Sequence, residues 1–248
     1  MSLRYKLVVE YDGTFFSGWH RQPQAYTLTV QGAIEAALSQ ICQTPLKIVG
    51  SGRTDAGVHA LKQVAHVDVP EATNQKALLY GLGQKLRSKR IVILAAEEVP
   101  DTFHARYSAK KRTYMYRVIN RSCPLAIEKN YAWHVAHTLK VDVMREAIHC
   151  LQGEHDFKTF QSRGCSSPVS VRTMFHTDVQ KDGDLLTFFF TANAFLYHQV
   201  RNMMYALIRV GDGRDTAADF LEKFRLCSAD SRTGVAPSDG LYLADVLY

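Results

Sequence analysis

The sequence has few cysteines, and their spacing fits neither a metal site nor a disulfide framework. Its 248 residues contain five of them, Cys42, Cys123, Cys150, Cys165 and Cys227. They are odd in number, widely scattered, and include no C-x-x-C pair. Cysteine zinc sites and disulfide scaffolds both need regularly spaced cysteines. We therefore expect five reduced thiols in a protein of the cytoplasm.

Long apolar runs and an export signal are also missing. No stretch approaches the ~20 apolar residues needed to cross a membrane, and the first residues lack the apolar core of a signal peptide. Apolar residues make up 46% of the chain and charged residues 22%, as in an ordinary globular protein. The net charge of +6 favours a polyanion such as nucleic acid as a partner, but does not establish one.

Several common catalytic motifs are absent. A dinucleotide-binding G-x-G-x-x-G would need a glycine where Asp55 stands, and no Gly-Lys-Ser/Thr of a P-loop follows. Neither H-E-x-x-H nor the hydrolase pattern G-x-S-x-G occurs. His134 and His137 fall in a predicted strand, where a spacing of three places them on opposite faces. No metal site is expected.

The same order of predicted elements occurs twice along the chain. Alternation and helical spacing predict the first set as strands at 5–11, 46–49, 63–69 and 91–99, with helices at 30–41 and 76–86. The second set has strands at 112–119, 169–179, 185–192 and 241–247, with helices at 141–151, 200–208 and 220–224. Thr29 is the predicted N-cap of the first helix, and residues 181–184 the turn of a hairpin. Gly153 is expected to end the helix at 141–151, with His155 in the turn that follows.

This repeated β-α-β-β-α-β order predicts an α+β fold. It is typical of two ferredoxin-like lobes (split βαβ, the topology of an RRM), each with a largely antiparallel sheet and with a cleft between them. We expect an N-terminal lobe at 1–103 and a C-terminal lobe at 104–248. The same fold serves many functions, so it does not decide the chemistry.

A glycine-rich loop presents a single carboxylate, Asp55, in Gly50-Ser51-Gly52-Arg53-Thr54-Asp55-Ala56-Gly57-Val58-His59. An arginine within about 4–6 Å, such as Arg53, would keep that carboxylate ionised. An ionised carboxylate in a loop can act as a nucleophile or as a base. Asp55 could equally cap a turn between two strands, and the local pattern leaves both interpretations open.

Two further segments have residues that suit the binding of nucleic acid. Basic residues alternate with tyrosines at 110–117, and Tyr114 and Tyr116 would share one face of a strand, where they could stack on bases or lie in a core. Arg201 falls on the flank of the apolar face of a predicted helix. It could be directed at an anion, or extend along the surface as many arginines do.

Taken together, these segments resemble the tRNA pseudouridine synthase I family over nearly the whole chain. The motif at 52–59 resembles the catalytic motif of that family. The resemblance also rests on stretches at 10–14, 18–22, 103–109, 112–116, 171–173, 193–202 and 236–243.

The resemblance implies an isomerase that converts uridines at positions 38, 39 and 40 of the tRNA anticodon stem-loop to pseudouridine. Asp55 would be the essential aspartate, with Arg201 paired to it and Arg53 as a second candidate for keeping it ionised. Tyr114 would lie against the target base. The resemblance also implies a homodimer whose substrate is tRNA. It implies no cofactor, no metal ion and no membrane partner.

Three further residues are expected to bind substrate: Arg112, Arg106 and His59. Lys111 and Arg112 precede Tyr114 in a basic pattern that differs from that of many relatives. The resemblance therefore does not determine which residues near Tyr114 contact phosphates.

The chemistry suits this assignment. Isomerisation of uridine neither gains nor loses atoms, but the base must leave its stack, at a cost of a few kcal/mol. Whether Asp55 attacks C1′ or C6, or removes a proton, stays open, and Tyr114 is a candidate base for C5. Two other functions are consistent with the residues: an RNA-binding protein without activity, and an enzyme that acts on a nucleotide or small metabolite.

Overall fold

The chain forms two compact units. The computed structural model describes residues 2–22, 27–165, 167–227 and 234–248. One unit contains Met1–Lys110 and Tyr242–Tyr248, and the other contains Lys111–Leu241. This division differs from the predicted lobes at 1–103 and 104–248, because the first unit extends further and includes the last strand of the chain.

The described part of the first unit is built from a sheet and two α-helices. Its elements in chain order are β1 (Ser2–Tyr11), α1 (Val30–Cys42), β2 (Val49–Gly50), β3 (His59–Pro70), α2 (Gln75–Leu86) and β4 (Ile91–Glu98). The strand order is β4-β1-β3, with β2 also paired to β3, and all these pairs are antiparallel. The last strand of the chain, Leu241–Leu247, runs parallel to β3, with Tyr242 opposite His59.

Alternation explains the core of this unit. Leu7 and Val9 on β1 are fully buried, and they fall two residues apart on one face. Ile34 and Leu38 of α1, at helical spacing, are buried as well. The loop at 51–58 joins β2 to β3, so strand pairing on both sides determines where that loop begins and ends.

In its described residues, the second unit contains five strands and three α-helices. They are β5 (Lys111–Asn120), β6 (Trp133–Val135), α3 (Val141–His149), β7 (Gly153–Asp156), β8 (Val171–Asp182), β9 (Leu185–Ala192), α4 (Gln199–Gly211) and α5 (Ala217–Arg225). The strand order is β5-β9-β8-β7 with antiparallel pairs, and β6 runs parallel to β5. The strand Leu241–Leu247 is numbered β10.

The predicted helices are confirmed, and so are most of the strands. Thr29 caps α1, since its hydroxyl accepts a hydrogen bond from the backbone N–H of Gly32 at 3.2 Å. The hairpin between β8 and β9 is confirmed as well, with Gly183 at a φ of 56°. The molecule therefore combines helices with a largely antiparallel pairing of strands, as predicted.

Two local predictions were wrong. Residues 153–156, expected as a helix end and a turn around His155, form strand β7, because Gly153 opposite Met174 begins a pairing with β8. The strand expected at 46–49 is only Val49–Gly50, because the pairing with β3 covers just these residues. His134 lies in β6, while His137 lies beyond its end.

Two properties of the described ranges bear on function. None of their helices combines the length and apolarity needed to cross a membrane. Within the same ranges, no three side chains of His, Cys, Asp or Glu form a group that could hold a metal ion.

Candidate active site

Asp55 lies in the loop between β2 and β3 and is half-buried. Its backbone carbonyl accepts a hydrogen bond from the N–H of Val58 at 3.2 Å, which closes a tight turn. Gly57, within that turn, has a φ of 80°, a conformation that favours glycine. The glycine-rich motif thus forms a turn that presents the carboxylate ahead of β3.

Gln63 holds the start of this loop from the interior. It is fully buried, and its side-chain oxygen accepts a hydrogen bond from the Ser51 hydroxyl at 2.7 Å. Its amide nitrogen donates to the carbonyl of Gly52 at 3.0 Å. The side chain of Gln63, on β3, therefore holds Ser51 and Gly52, the two residues with which the loop begins.

The residue before Asp55 is held from two directions. The hydroxyl of Thr54 lies 2.7 Å from the phenol oxygen of Tyr11, and both side chains are buried. The carbonyl of Thr54 accepts a hydrogen bond from the backbone N–H of Trp19 at 3.1 Å. Both contacts come from the region that includes the end of β1 and the loop after it, so that region positions the Asp55 loop.

Two glycines allow this close approach. A Cβ atom on Gly18, whose φ is 96°, would lie 2.5 Å from the carbonyl oxygen of Thr54. A Cβ atom on Gly13 would lie 2.0 Å from the carbonyl oxygen of Val58. Side chains at these positions would push the backbone away from the Asp55 loop.

His59 lies in the interior, at the first position of β3. Its Nδ1 accepts a hydrogen bond from the backbone N–H of Gly13 at 3.0 Å, and its ring stacks on Tyr242 at 4.6 Å between centroids. The same Nδ1 lies 3.3 Å from a carboxylate oxygen of Asp12. The ring of His59 therefore joins the loop after β1 to the last strand.

Tyr114 belongs to the second unit, where β5 and a nearby loop position its ring. It lies opposite Phe190 of β9 and is 8% exposed. Its ring contacts Phe195 edge to face, with the centroids 4.9 Å apart. This aromatic contact determines the orientation of the tyrosine ring.

Arg201 lies in the first turn of α4 and is half-buried. Its Nε donates to the carbonyl of Ala236 at 2.7 Å, and its own carbonyl accepts from the N–H of Ala236 at 3.2 Å. The hydroxyl of Tyr116 donates to the next carbonyl, that of Pro237, at 2.7 Å. The segment at 236–237 therefore joins α4 to β5, the strand that carries Tyr114.

The pKa of Tyr116 lies well above its ordinary range, because burial disfavours the phenolate. Arg201 lowers this pKa and Asp239 raises it, both by smaller amounts. Tyr116 therefore stays protonated and keeps donating its hydrogen bond to Pro237.

Comparison with known proteins identifies the family. The profile described as tRNA pseudouridine synthase matches residues 7–108 and 147–248. The chain belongs to the tRNA pseudouridine synthase family. The family recognised from the sequence, and with it the isomerase class, is thereby confirmed.

Curated relatives of this tRNA pseudouridine synthase family match along the whole chain. A protein named tRNA pseudouridine synthase A from Xanthobacter autotrophicus is 45% identical and covers 99% of each chain. Its namesake from Beijerinckia indica is also 45% identical, over 99% of this chain and 94% of that protein. The one from Rhodospirillum rubrum is 40% identical, over 99% and 88%.

In this member of the tRNA pseudouridine synthase family, the three remaining predicted site arginines lie nearer the surface. Arg53 is exposed, and within the described residues it has no hydrogen bond or ion pair. Arg106 is exposed, with its guanidinium carbon 5.8 Å from the ring centre of Tyr107. Arg112 is half-buried, and it donates to the carbonyl of Asn193 at 2.8 Å.

The sequence did not single out Gln63 or Tyr11, the two side chains that hold the Asp55 loop. The sequence pattern could have indicated Gln63, because it shares the buried face of β3 with Ala65 and Val67. A polar side chain on such a face needs a hydrogen-bond partner. The pattern did not indicate Tyr11, since a tyrosine at the end of an apolar strand is ordinary.

Proposed function

We propose that this protein isomerises uridines at positions 38, 39 and 40 of the tRNA anticodon stem-loop to pseudouridine, with Asp55 as the catalytic carboxylate and no cofactor. The proposal rests above all on the relatives named tRNA pseudouridine synthase A, which are 40–45% identical over 99% of this chain. The match with the family profile includes both Asp55 and Arg201.

The loop geometry supports a catalytic role for Asp55. Gln63 and Tyr11 hold the backbone before the carboxylate, and the carbonyl of Phe16 accepts the N–H of Gly57 after it, so the loop is partly ordered before substrate binds. Such preorganisation lowers the cost of reaching the transition state. The carboxylate attacks C1′ or C6 of the uridine, or removes a proton, and the geometry of the loop suits either role.

Tyr114 and Arg201 complete the proposed chemistry. Tyr114 stacks against the extruded base and is the candidate that removes the proton from C5. Arg201 pairs with Asp55 and keeps it ionised. The contact of Tyr114 with Phe195 and the two bonds of Arg201 to Ala236 support these roles, since both side chains are held before substrate arrives.

Arg53, two residues before Asp55 in the same loop, is proposed as the second arginine that keeps Asp55 ionised. Three further residues are proposed to bind or orient the tRNA. Exposure of Arg106 suits contact with phosphates. Arg112 lies two residues before Tyr114 on the same strand. His59, buried beside Gly13, would act through the shape of the loop.

The finer points of the fold and the assembly remain proposals. The order β4-β1-β3 with β2 on the far side of β3 supports a ferredoxin-like lobe in the first unit. The second such lobe, the cleft, the homodimer and the location in the cytoplasm stay predictions.

Release of tritium tests the reaction directly. tRNA labelled with tritium at C5 of its uridines loses the label when C5 becomes the point of attachment to the sugar. We expect release with the wild-type protein and none with Asp55→Ala or Asp55→Asn, while both variants still bind tRNA. Turnover near the wild-type rate in Asp55→Asn would remove Asp55 from the mechanism.

The same assay separates the two other functions. Binding of unmodified tRNA by the wild-type protein without any release would indicate an RNA-binding protein. Absence of tRNA binding would favour an enzyme for small metabolites. Binding through phosphates should weaken steeply with salt, so a salt titration confirms that any affinity is for the polyanion.

A further inference from the structure

A basic segment follows helix α2. Residues 85–90 read Lys85-Leu86-Arg87-Ser88-Lys89-Arg90, with four cations and no acidic residue. Leu86 is buried, whereas the four basic side chains are exposed. The burial of Leu86 fixes the segment to the core and leaves its charges directed at solvent.

Arg90 ties this segment to the loop that follows β1. Its guanidinium donates to the carboxylate of Asp12 at 2.6 Å, and its carbonyl accepts the backbone N–H of Asp12 at 3.1 Å. The carboxylate of Asp12 is 14% exposed and the Arg90 side chain 57%. The cation is therefore the part of this pair that a ligand would meet.

An exposed aromatic ring lies beside the guanidinium. The side chain of Phe15 is 67% exposed, and the guanidinium carbon of Arg90 lies 5.5 Å from its ring centre. This distance is within the range of a cation–π contact. Proteins that bind unpaired nucleotides combine such rings, which stack on bases, with cations that meet the backbone.

Phe15 is also adjacent to the Asp55 loop. The carbonyl of Phe16 accepts the backbone N–H of Gly57 at 3.2 Å, and Gly13 packs against the carbonyl of Val58. When the target uridine lies at Asp55, as proposed, neighbouring nucleotides of the tRNA can reach this segment. Phe15, Arg87, Lys89 and Arg90 together are called the Phe15 surface below.

We propose that the Phe15 surface binds the tRNA beside the target uridine. Phe15 stacks on a nucleotide, and Arg87, Lys89 and Arg90 meet backbone phosphates. The proposal rests on the proposed function. A second copy of this chain is a poorer partner for the surface, because identical basic segments repel each other, whereas RNA has the complementary charge.

Removal of the ring tests the stacking contact. Base–aromatic stacking contributes about 1–3 kcal/mol per base, so Phe15→Ala should raise both KM and the Kd for tRNA at least about five-fold, with kcat unchanged. Phe15→Tyr keeps a ring and should stay close to wild type. Tyr80→Ala is the control, because it removes another exposed ring (71% exposed) from the same unit.

Salt dependence tests the phosphate contacts. The double variant Arg87→Ala/Lys89→Ala should reduce the slope of log K against log salt by about 1.5, because each phosphate contact contributes roughly 0.7–0.9. The double variant Lys140→Ala/Lys181→Ala removes the same charge from exposed positions of the second unit. An equal change in that control would attribute the effect to net charge and overturn the proposal.

The remaining outcomes are also decisive. Unchanged Kd and KM in Phe15→Ala would overturn the proposal. So would a changed oligomeric state with unchanged tRNA affinity, which would assign the surface to a second copy. If the wild-type protein releases no tritium but Phe15→Ala still weakens tRNA binding, the surface stands and the proposed reaction fails.

Discussion

The phenol oxygen of Tyr11 lies 2.7 Å from the hydroxyl oxygen of Thr54, the residue immediately before Asp55. The two residues are far apart in sequence, and both are buried, so water does not compete for this hydrogen bond. The end of β1 thereby holds the loop that presents the carboxylate proposed to be catalytic.

Loss of this hydrogen bond should affect both stability and turnover. We expect Tyr11→Phe to lower the free energy of unfolding by about 0.5–1.5 kcal/mol and to lower kcat more than it raises KM. Denaturant unfolding and steady-state kinetics measure the two effects. Tyr5→Phe removes a hydroxyl from another buried tyrosine of β1 and should leave kcat unchanged. Tyr11→Phe and Thr54→Val should not be additive, because they remove the same bond; full additivity would contradict this account.

Gln63 should matter through its hydrogen bonds to Ser51 and Gly52. Gln63→Ala would leave the Ser51 hydroxyl and the Gly52 carbonyl without this partner in the interior, at a cost of about 1–3 kcal/mol. Because these residues begin the Asp55 loop, we also expect a lower kcat. Gln40→Ala, which changes an exposed glutamine, should alter the unfolding free energy by less than about 0.5 kcal/mol. Equal effects of the two substitutions would argue against a positioning role for Gln63.

Two glycines of the first unit should respond to alanine in opposite directions. Gly18→Ala places a Cβ atom 2.5 Å from the Thr54 carbonyl at a φ of 96°, so we expect a loss of about 1–3 kcal/mol or more. Gly83→Ala adds a methyl group in open space on helix α2, and should stabilise the protein by about 0.5–1 kcal/mol. Thermal unfolding of both variants checks the prediction. A stable Gly18→Ala variant would show that the loop can move away.

His66 should make stability depend on pH. Its pKa is lowered to about 4, mainly by burial of the ring and to a smaller extent by Arg4 and His104, while Asp68 opposes the shift. An unfolded histidine titrates near 6.5, so between pH 6.5 and 4 the unfolded chain binds a proton that the folded chain does not. The contribution of His66 to the free energy of unfolding is therefore fully present above pH 6.5 and declines as the pH falls towards 4.

Replacement of His66 should remove part of this dependence. We expect His66→Asn to be less stable at pH 7, since the Nδ1 of His66 accepts the N–H of Ala105 at 3.1 Å, and to lose less stability than wild type on acidification. Urea unfolding midpoints at pH 7, 6, 5 and 4 provide the comparison, with His20→Asn as an exposed control. A parallel decline in wild type and His66→Asn would show that other groups cause the dependence.

The helices could be predicted because their apolar residues repeat at the helical period. Ile34 and Leu38 identified α1, and Thr29 its first turn. Strand β2 was misplaced and strand β7 was missed because two to four residues carry no clear alternation, so their extent depends on pairing with β3 and β8. Asp55 was predictable because its motif is contiguous, whereas Tyr11 and Gln63 act through contacts that no local pattern encodes.

By itself, the sequence determined the family, the helices with their periods and caps, and Asp55 as the candidate carboxylate, because each depends on residues near one another in the chain. Only the tertiary structure decided that Gln63 and Tyr11 hold the Asp55 loop, that His59 lies in the interior, and that Phe15 lies beside Arg90. These relationships join residues that are separated along the chain, and hydrogen bonds and packing form only where folding brings their atoms within a few ångströms.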